Sequence, residues 1–292
     1  MLHGDAVQLT HAVGNRKKVR RIAHLSDVHM LERRANPSHL HNLSLHFLSF
    51  GRMLDPGGRT RKLERALVAA QRSQADHFVV SGDLTEVGAP DQFEAFAEVL
   101  HNSGIQPDQI TLVPGNHDAY TSGGAWKQAL EGPLRAFAST SSGEPGKIVD
   151  RGDVLFLPVD VTCLQAITRS AGELTAEWGD ALERRFADPG LAHHKALVVV
   201  QHHQPFAHAR SAWQWIDGLR GHARLMDLLA RYTRVQLLHG HMHKIVDRLV
   251  GLGKSRIFGA PAIVDDTEDA PRVRLYEVRD GALEDAGMCA AA

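Results

Sequence analysis

Short apolar runs that recur between stretches of helical periodicity constrain this chain more than any other feature. The runs are RRIAHLS (20–26), HFVVSGD (77–83), QITLVPG (109–115), VLFLPVDV (154–161), KALVVVQHH (195–203), RVQLLHG (234–240), SRIFGA (255–260) and RVRLYEVR (272–279). Most are β-branched or Leu-rich and bounded by Gly, Asp or Pro, the pattern of strands buried on both faces. Between them, Leu63, Ala66, Leu67 and Ala70 follow i, i+3, i+4, i+7, as do Phe93, Phe96, Ala97 and Leu100, and Leu225, Leu228, Leu229 and Tyr232 extend the pattern. Trp178, Leu182 and Phe186 mark a further helix, with Thr175 as its N-cap. Strands alternating with helices predict an α/β fold. From residue 234 onward no helix separates the strands, which predicts an antiparallel-rich portion of sheet.

Residues 37–54, PSHLHNLSLHFLSFGRML, interrupt the alternation. Leu40, Leu43, Phe47, Phe50 and Leu54 lie at helical spacing, so an inserted amphipathic helix is expected, closed by the turn DPGG at 55–58. Its apolar stripe fits packing on a core; a cap over a site or an oligomer contact is the alternative. The expected organisation is an N-terminal extension (1–18) and a single domain (19–292) with a helical insertion at about 37–58. With 292 residues, 43% apolar and 23% charged, the chain has enough apolar material for a large core. A net charge of −1 gives no bulk attraction to nucleic acid or membrane surfaces. There is no run of 18 apolar residues and no signal-like stretch, and Cys163 and Cys289 imply no disulfide framework, so a cytoplasmic setting is expected. A homo-oligomer is compatible with these features.

Metal-type side chains cluster just past the strands. Asp27 and His29 come after the first run, Asp83 after the second, and Asn116, His117 and Asp118 after the third; His202 and His203 end the fifth, and His241 and His243 come after the sixth. In an open α/β sheet ligands bind outside the carboxyl ends of strands, so five loops would deliver imidazole, amide and carboxylate groups to one edge. His241 and His243 are two apart, a spacing that aims both rings one way if the chain there is extended. By the same alternation His202 would point away from His203. Imidazoles mixed with carboxylates suit Mn, Fe, Zn, Co or Ni better than Mg or Ca.

The ordered set DVH, GD, GNHD, H and GHMH resembles that of the calcineurin-like metallophosphoesterase superfamily over residues 20 to about 260. The resemblance implies a four-layer α/β/β/α sandwich with two mixed sheets and a pair of metal ions at one edge. Carried over by position, Asp27, His29 and His243 hold the first metal, Asn116, His203 and His241 the second, and Asp83 bridges both. Asn116 and His117 contact the substrate phosphate, and His117 donates the proton. Asp118 either orients His117 or caps the turn. A two-metal site, its cations ~3.5–4 Å apart, lowers the pKa of a bound water and clamps phosphate oxygens. VDRGD (149–153) looks like a protein-phosphatase signature but comes after GNHD instead of before it, and is expected to be a turn between strands.

SGDLTEVGAPDQFEAF with VPGNHD after it is most similar to the bacterial branch with cyclic-nucleotide and glycerophosphodiester phosphodiesterases; HHQP stands where HHPP is usual. The resemblance therefore implies a dinuclear metal-dependent phosphodiesterase that acts on small organic phosphodiesters through a metal-activated water. The alternative activities are a phosphomonoesterase or a nucleotide-sugar pyrophosphatase, and the alternative class is a non-catalytic scaffold of the same fold. The segment PFAHARSAWQWIDG (205–218) is expected as a loop at the substrate mouth, with Trp213 and Trp215 either binding the organic group or packing beneath the loop or at a subunit contact.

Overall fold

The computed structural model describes residues 18–33, 49, 52–191, 193–253, 255–267 and 271–290. All but the last residue of the extension expected over 1–18, and most of the helix expected over 37–54, lie outside these residues. In chain order the elements are β1 (Arg21–Leu25), α1 (Pro56–Arg72), β2 (His77–Ser81), α2 (Pro90–Asn102), β3 (Ile110–Val113), α3 (Ala125–Glu131), β4 (Val149–Asp150), β5 (Val154–Pro158), β6 (Gly172–Glu173), α4 (Ala176–Phe186), β7 (Ala196–Val200), α5 (Ser211–Asp217), β8 (Leu219–Arg220), α6 (His222–Arg231), β9 (Val235–His239), β10 (Val246–Leu249), β11 (Arg256–Gly259), β12 (Arg274–Arg279) and β13 (Ala282–Met288).

Two mixed sheets result, with strand orders β13-β12-β1-β2-β3 and β10-β11-β9-β7-β5-β4. In the first, β1, β2 and β3 run parallel and β12 and β13 are antiparallel; in the second, β5, β7, β9 and β11 run parallel and β4 and β10 close the edges antiparallel. Strand alternation decides what each face meets. Ala23, Leu25, Phe78, Val80, Ile110 and Leu112 pack with Leu63, Leu67, Phe93 and Phe96 of α1 and α2. Leu155, Leu157, Leu197, Val199 and Leu237 pack with Leu182 of α4 and Leu225 and Leu229 of α6. The opposite faces, Ile22, Val79 and Val113 from one sheet and Phe156, Val198, Val200, Leu238 and Phe258 from the other, form a third cluster. The layers are therefore helix, sheet, sheet, helix, each fully buried Leu or Phe contributing about 1.5–3 kcal/mol. No helix among the described residues is long and apolar enough to cross a membrane.

Three expectations need correction. DPGG opens a helix instead of closing one: Asp55 is the N-cap of α1 and Pro56 its first residue, where a fixed φ and a missing N–H cost nothing. The strands after 234 do not form one antiparallel portion; β9 and β11 are parallel neighbours in one sheet, while β12 and β13 cross to the other. Residues 205–218 are not all loop, because α5 carries both Trp213 and Trp215. VDRGD supplies β4 and the turn that pairs it with β5.

Candidate metal centre

The carboxyl ends of β1, β2 and β3 meet those of β7 and β9 at one edge, and their loops are stitched together there. Asp27 N–H donates to the Gly82 carbonyl, His29 N–H to that of Asp83, and Gly240 N–H to that of His202. Asp27, His29, Asp83, His241 and His243 all have left-handed backbones, with φ between 50° and 66°. Such a conformation costs a non-glycine residue about 1–2 kcal/mol, and its concentration at one site marks a constellation that the surrounding fold imposes. It also corrects the basis on which the paired residues were expected to converge. The chain at 241–243 is bent, not extended, and the two rings part: His243 Nε2 lies 3.3 Å from Asp27 Oδ1, whereas His241 Nε2 lies 2.9 Å from Asp217 Oδ1. Two glycines allow the approach of the loops. A Cβ on Gly115 would fall 2.1 Å from Asp83 Oδ1, and one on Gly240 1.7 Å from Ser26 Oγ.

The ligand-type atoms gather in three overlapping groups, each mutually within 4.8 Å: Asp27, His29 and His243; Asp83, His202 and His241; His29, Glu86 and His117. The first group is the expected first-metal set. In the second, His202 stands where His203 was expected. Its Nε2 is 3.2 Å from Asp83 Oδ2 and 3.9 Å from Asp27 Oδ1, while its Nδ1–H donates to the Ser81 carbonyl at 2.7 Å. His203, its ring 4.2 Å from that of His241, donates Nε2–H to the Ser170 carbonyl at 2.7 Å, and its Nδ1, also buried without a partner, faces Gly172, where a Cβ would lie 2.5 Å from it. The physical reason is that β7 ends at Val200, so strand alternation does not reach residues 202 and 203.

Several buried atoms here have no hydrogen-bond partner: Asp27 Oδ1, both ring nitrogens of His29, Asn116 Oδ1 and His202 Nε2. Leaving a buried acceptor unmet costs about 1–3 kcal/mol, and these atoms belong to residue types that donate to metals. The donor set therefore fits metal binding. Electrostatics agree. Burial opposes the Asp27 and Asp83 carboxylates, yet neighbouring histidines hold both below the usual range; conversely Asp27 with Asp265 raises His243, and Asp83 raises His202, against burial. The two acids thus draw positive charge into the site. Burial pushes the His29 pKa well below the usual range and favours the neutral ring, which offers one nitrogen lone pair to a metal.

The outer partners were not evident from sequence. Asp265 Oδ2 accepts from His243 Nδ1 at 2.8 Å, Asp217 accepts from His241 Nε2, and Glu86 Oε2 lies 3.6 Å from His29 Nδ1. Glu86 lies three residues past Asp83 and Asp265 sits beside Asp266, but no local spacing singles out any of the three. Asn116 Nδ2 donates to the Tyr120 hydroxyl at 3.0 Å, which donates to the Arg169 carbonyl at 2.8 Å. His117 N–H donates to Asp83 Oδ1 at 2.9 Å; its Nδ1–H donates to the Glu86 carbonyl at 2.7 Å, and Nε2 is left 4.0 Å from Asp83 Oδ2. Asp118 does not orient His117. Its fully buried carboxylate accepts from Leu84 N–H, Gly115 N–H, Thr85 N–H and the Thr85 hydroxyl at 2.7–3.0 Å, so it ties two ligand loops together. Trp213 and Trp215 are 53% and 61% exposed, which rules out packing beneath the loop. The Arg169 guanidinium lies 4.2 Å above the Trp215 ring and donates to its carbonyl.

The family model for calcineurin-like phosphoesterases matches residues 20–245. The glycerophosphodiester phosphodiesterase GpdQ of Enterobacter lignolyticus is 26% identical over 178 residues, 60% of this chain and 58% of its own length. A 3',5'-cyclic-nucleotide phosphodiesterase of Nostoc is 22% identical over 174 residues, 59% of this chain and 58% of its own. This chain thus spans a little over half the length of those two relatives. A solved dimetal phosphatase from Danio rerio superposes with a TM-score of 0.59 over 94% of this chain and 97% of its own, at 11% identity. That likeness concerns the fold.

Proposed function

The chain belongs to the calcineurin-like phosphoesterase family, and we propose that it is a dinuclear metal-dependent phosphodiesterase that hydrolyses small organic phosphodiesters. The observation that carries this reading is the set of buried, unpartnered donor atoms on Asp27, His29, Asn116 and His202, converging beside Asp83. Asp27, His29 and His243 would hold one ion, Asn116, His202 and His241 the other, and Asp83 both. When bound, the ions would supply an activated water and charge that neutralises the phosphate oxygens.

This chain's own residues do the rest. Asp265, Asp217 and the Ser81 carbonyl fix the orientation of His243, His241 and His202 through their second nitrogens. The Glu86 carbonyl fixes the His117 tautomer, so that Nε2 is the atom presented to the substrate. As an imidazolium, with Nδ1–H held by the Glu86 carbonyl, His117 transfers its Nε2 proton to the departing alkoxide and is left neutral, a contribution of about 10²–10⁴ in rate. The preference for diesters draws on the names of the two relatives and on the exposed Arg169–Trp215 pair with Trp213, a surface for the ester's second organic group.

The test is metal analysis of purified protein beside the Asp83→Asn variant. About two ions per chain are expected in the parent, and loss of activity with most of the metal in the variant. Ester hydrolysis that persists in excess chelator would refute the reading.

A further inference from the structure

Outside the metal centre, a cavity of about 430 Å³ opens between the start of α1 and the turn at 263–265; Arg52, Arg59, Lys62, Asp55 and Asp265 line it. Arg59 is only 4% exposed, and its Nη1 has no hydrogen-bond partner. Its Nη2 lies 3.4 Å from Glu86 Oε2, and Arg52 Nη2 lies 3.7 Å from Glu86 Oε1, so two guanidinium groups share one carboxylate. Arg52 Nε is also buried without a partner. Lys62 adds a third cation, its ammonium donating to the Val264 carbonyl. Asp265 and Asp55 offset this charge in part, although the Asp265 carboxylate also pairs with His243 at 2.8 Å and Asp55 pairs outward with Arg61 at 3.5 Å.

The backbone points the same way. The 17-residue α1 begins at this cavity, its Asp55 N-cap gives no capping hydrogen bond to the first turn, and that turn holds no acid. The first N–H groups of a helix lack internal partners and carry the positive end of its dipole. Burial draws the Arg59 pKa down to about 10, against the pull of Glu86. A guanidinium with a free edge, a second guanidinium, an ammonium and a helix start form a receptor for a tetrahedral oxyanion.

We propose that this cavity is an anion site that takes a phosphate-type group, distinct from the metal centre and joined to it through Glu86 and Asp265. The group is either free inorganic phosphate or a second phosphate carried by the substrate. The site does not depend on the phosphodiesterase reading, since none of its lining cations is a candidate metal ligand.

Equilibrium dialysis of labelled inorganic phosphate against the metal-loaded full chain tests it. Lys62→Glu should bind one phosphate fewer per chain than the parent, or bind it at least tenfold more weakly, with unchanged metal content; Lys62→Arg should restore binding. Arg52→Ala provides an independent variant should Lys62→Glu fold poorly. Unchanged phosphate stoichiometry and affinity in both variants would overturn the proposal, as would a parent whose phosphate binding is abolished wholly by chelator. Kinetics identify the source. If the substrate supplies the group, a diester bearing an added phosphomonoester shows a KM about tenfold below that of its parent diester, and Lys62→Glu removes the difference. If free phosphate is the occupant, it alters kcat for bis(p-nitrophenyl) phosphate at saturating substrate, and Lys62→Glu removes that effect.

Discussion

Asp27, His29 and His243 are backed by two acids, Glu86 at 3.6 Å from His29 and Asp265 at 2.8 Å from His243. Asn116, His202 and His241 are backed by one acid, Asp217, and by two neutral groups, the Tyr120 hydroxyl and the Ser81 carbonyl. An anionic partner makes an imidazole a stronger ligand, so the first half should hold its ion more tightly than the second. The halves also differ in what lies behind them. Glu86 is fully buried, whereas Asp217 ends the exposed helix that carries Trp213 and Trp215. One half is thus an anchor, and the other is tied to the surface where an organic group would rest.

The largest effect that tests this division is at the adjacent histidines. His202→Ala should lose about one ion per chain and most of the activity, whereas His203→Ala should keep both ions, since its ring nitrogens face Ser170 and Gly172. Metal analysis of the two variants decides it; the opposite result would return the ligand role to His203. His117→Ala should retain both ions but lower kcat by about 10²–10⁴, with a smaller loss for p-nitrophenyl than for alkyl leaving groups. Equal losses for the two leaving groups would remove His117 from the acid role.

The ligand loops were legible in the sequence because strands buried on both faces leave long apolar runs, against which the polar residues at each carboxyl end stand out. The helical stripes at 63–70 and 93–100 were legible for the same reason: every one of those eight positions is buried. The misreadings arose where regular geometry stops. Period-two alternation does not apply to residues 202 and 203 beyond the end of β7, nor to 241–243, where two left-handed residues flank Met242. β10 and β13 gave little signal because they are sheet edges whose residues, VDRL and ALEDAGM, are mostly exposed and interrupted by charges. Glu86, Asp217 and Asp265 are single acids whose partners come from other loops, so no local spacing marks them.

Those acids provide the next test of the comparison. Asp265→Asn should weaken the first ion and Asp217→Asn the second, each by about 10–100-fold in affinity, the usual cost of losing an outer partner of a metal-bound imidazole. In the parent, stepwise chelation should remove the ion of the Asn116, His202 and His241 half first. Asp265→Asn should narrow or reverse that order, while Asp217→Asn should widen it. Release in the opposite order from the parent would show that the count of backing acids does not govern the difference between the halves.

The smallest effect concerns the exposed end of the second half. Arg169 lies over Trp215 and accepts, through its carbonyl, the hydrogen bond from Tyr120 that continues to Asn116. The aromatic surface is therefore connected to a candidate ligand through two hydrogen bonds. A stacked aromatic contact is worth about 0.5–1.5 kcal/mol beyond area burial, which converts to roughly a twofold to tenfold change in KM. Trp215→Ala should raise KM by that amount for bis(p-nitrophenyl) phosphate and leave methyl p-nitrophenyl phosphate nearly unchanged. Trp215 is 61% exposed, so little stability should be lost with it. Arg169→Ala removes the guanidinium but keeps the carbonyl that Tyr120 needs, so it should reproduce the selective rise in KM with kcat intact. If KM rises equally for both esters, the surface does not contact the organic group. If kcat falls in Arg169→Ala with KM unchanged, the guanidinium acts on the geometry at Asn116 instead, and the second half is tuned from its rim.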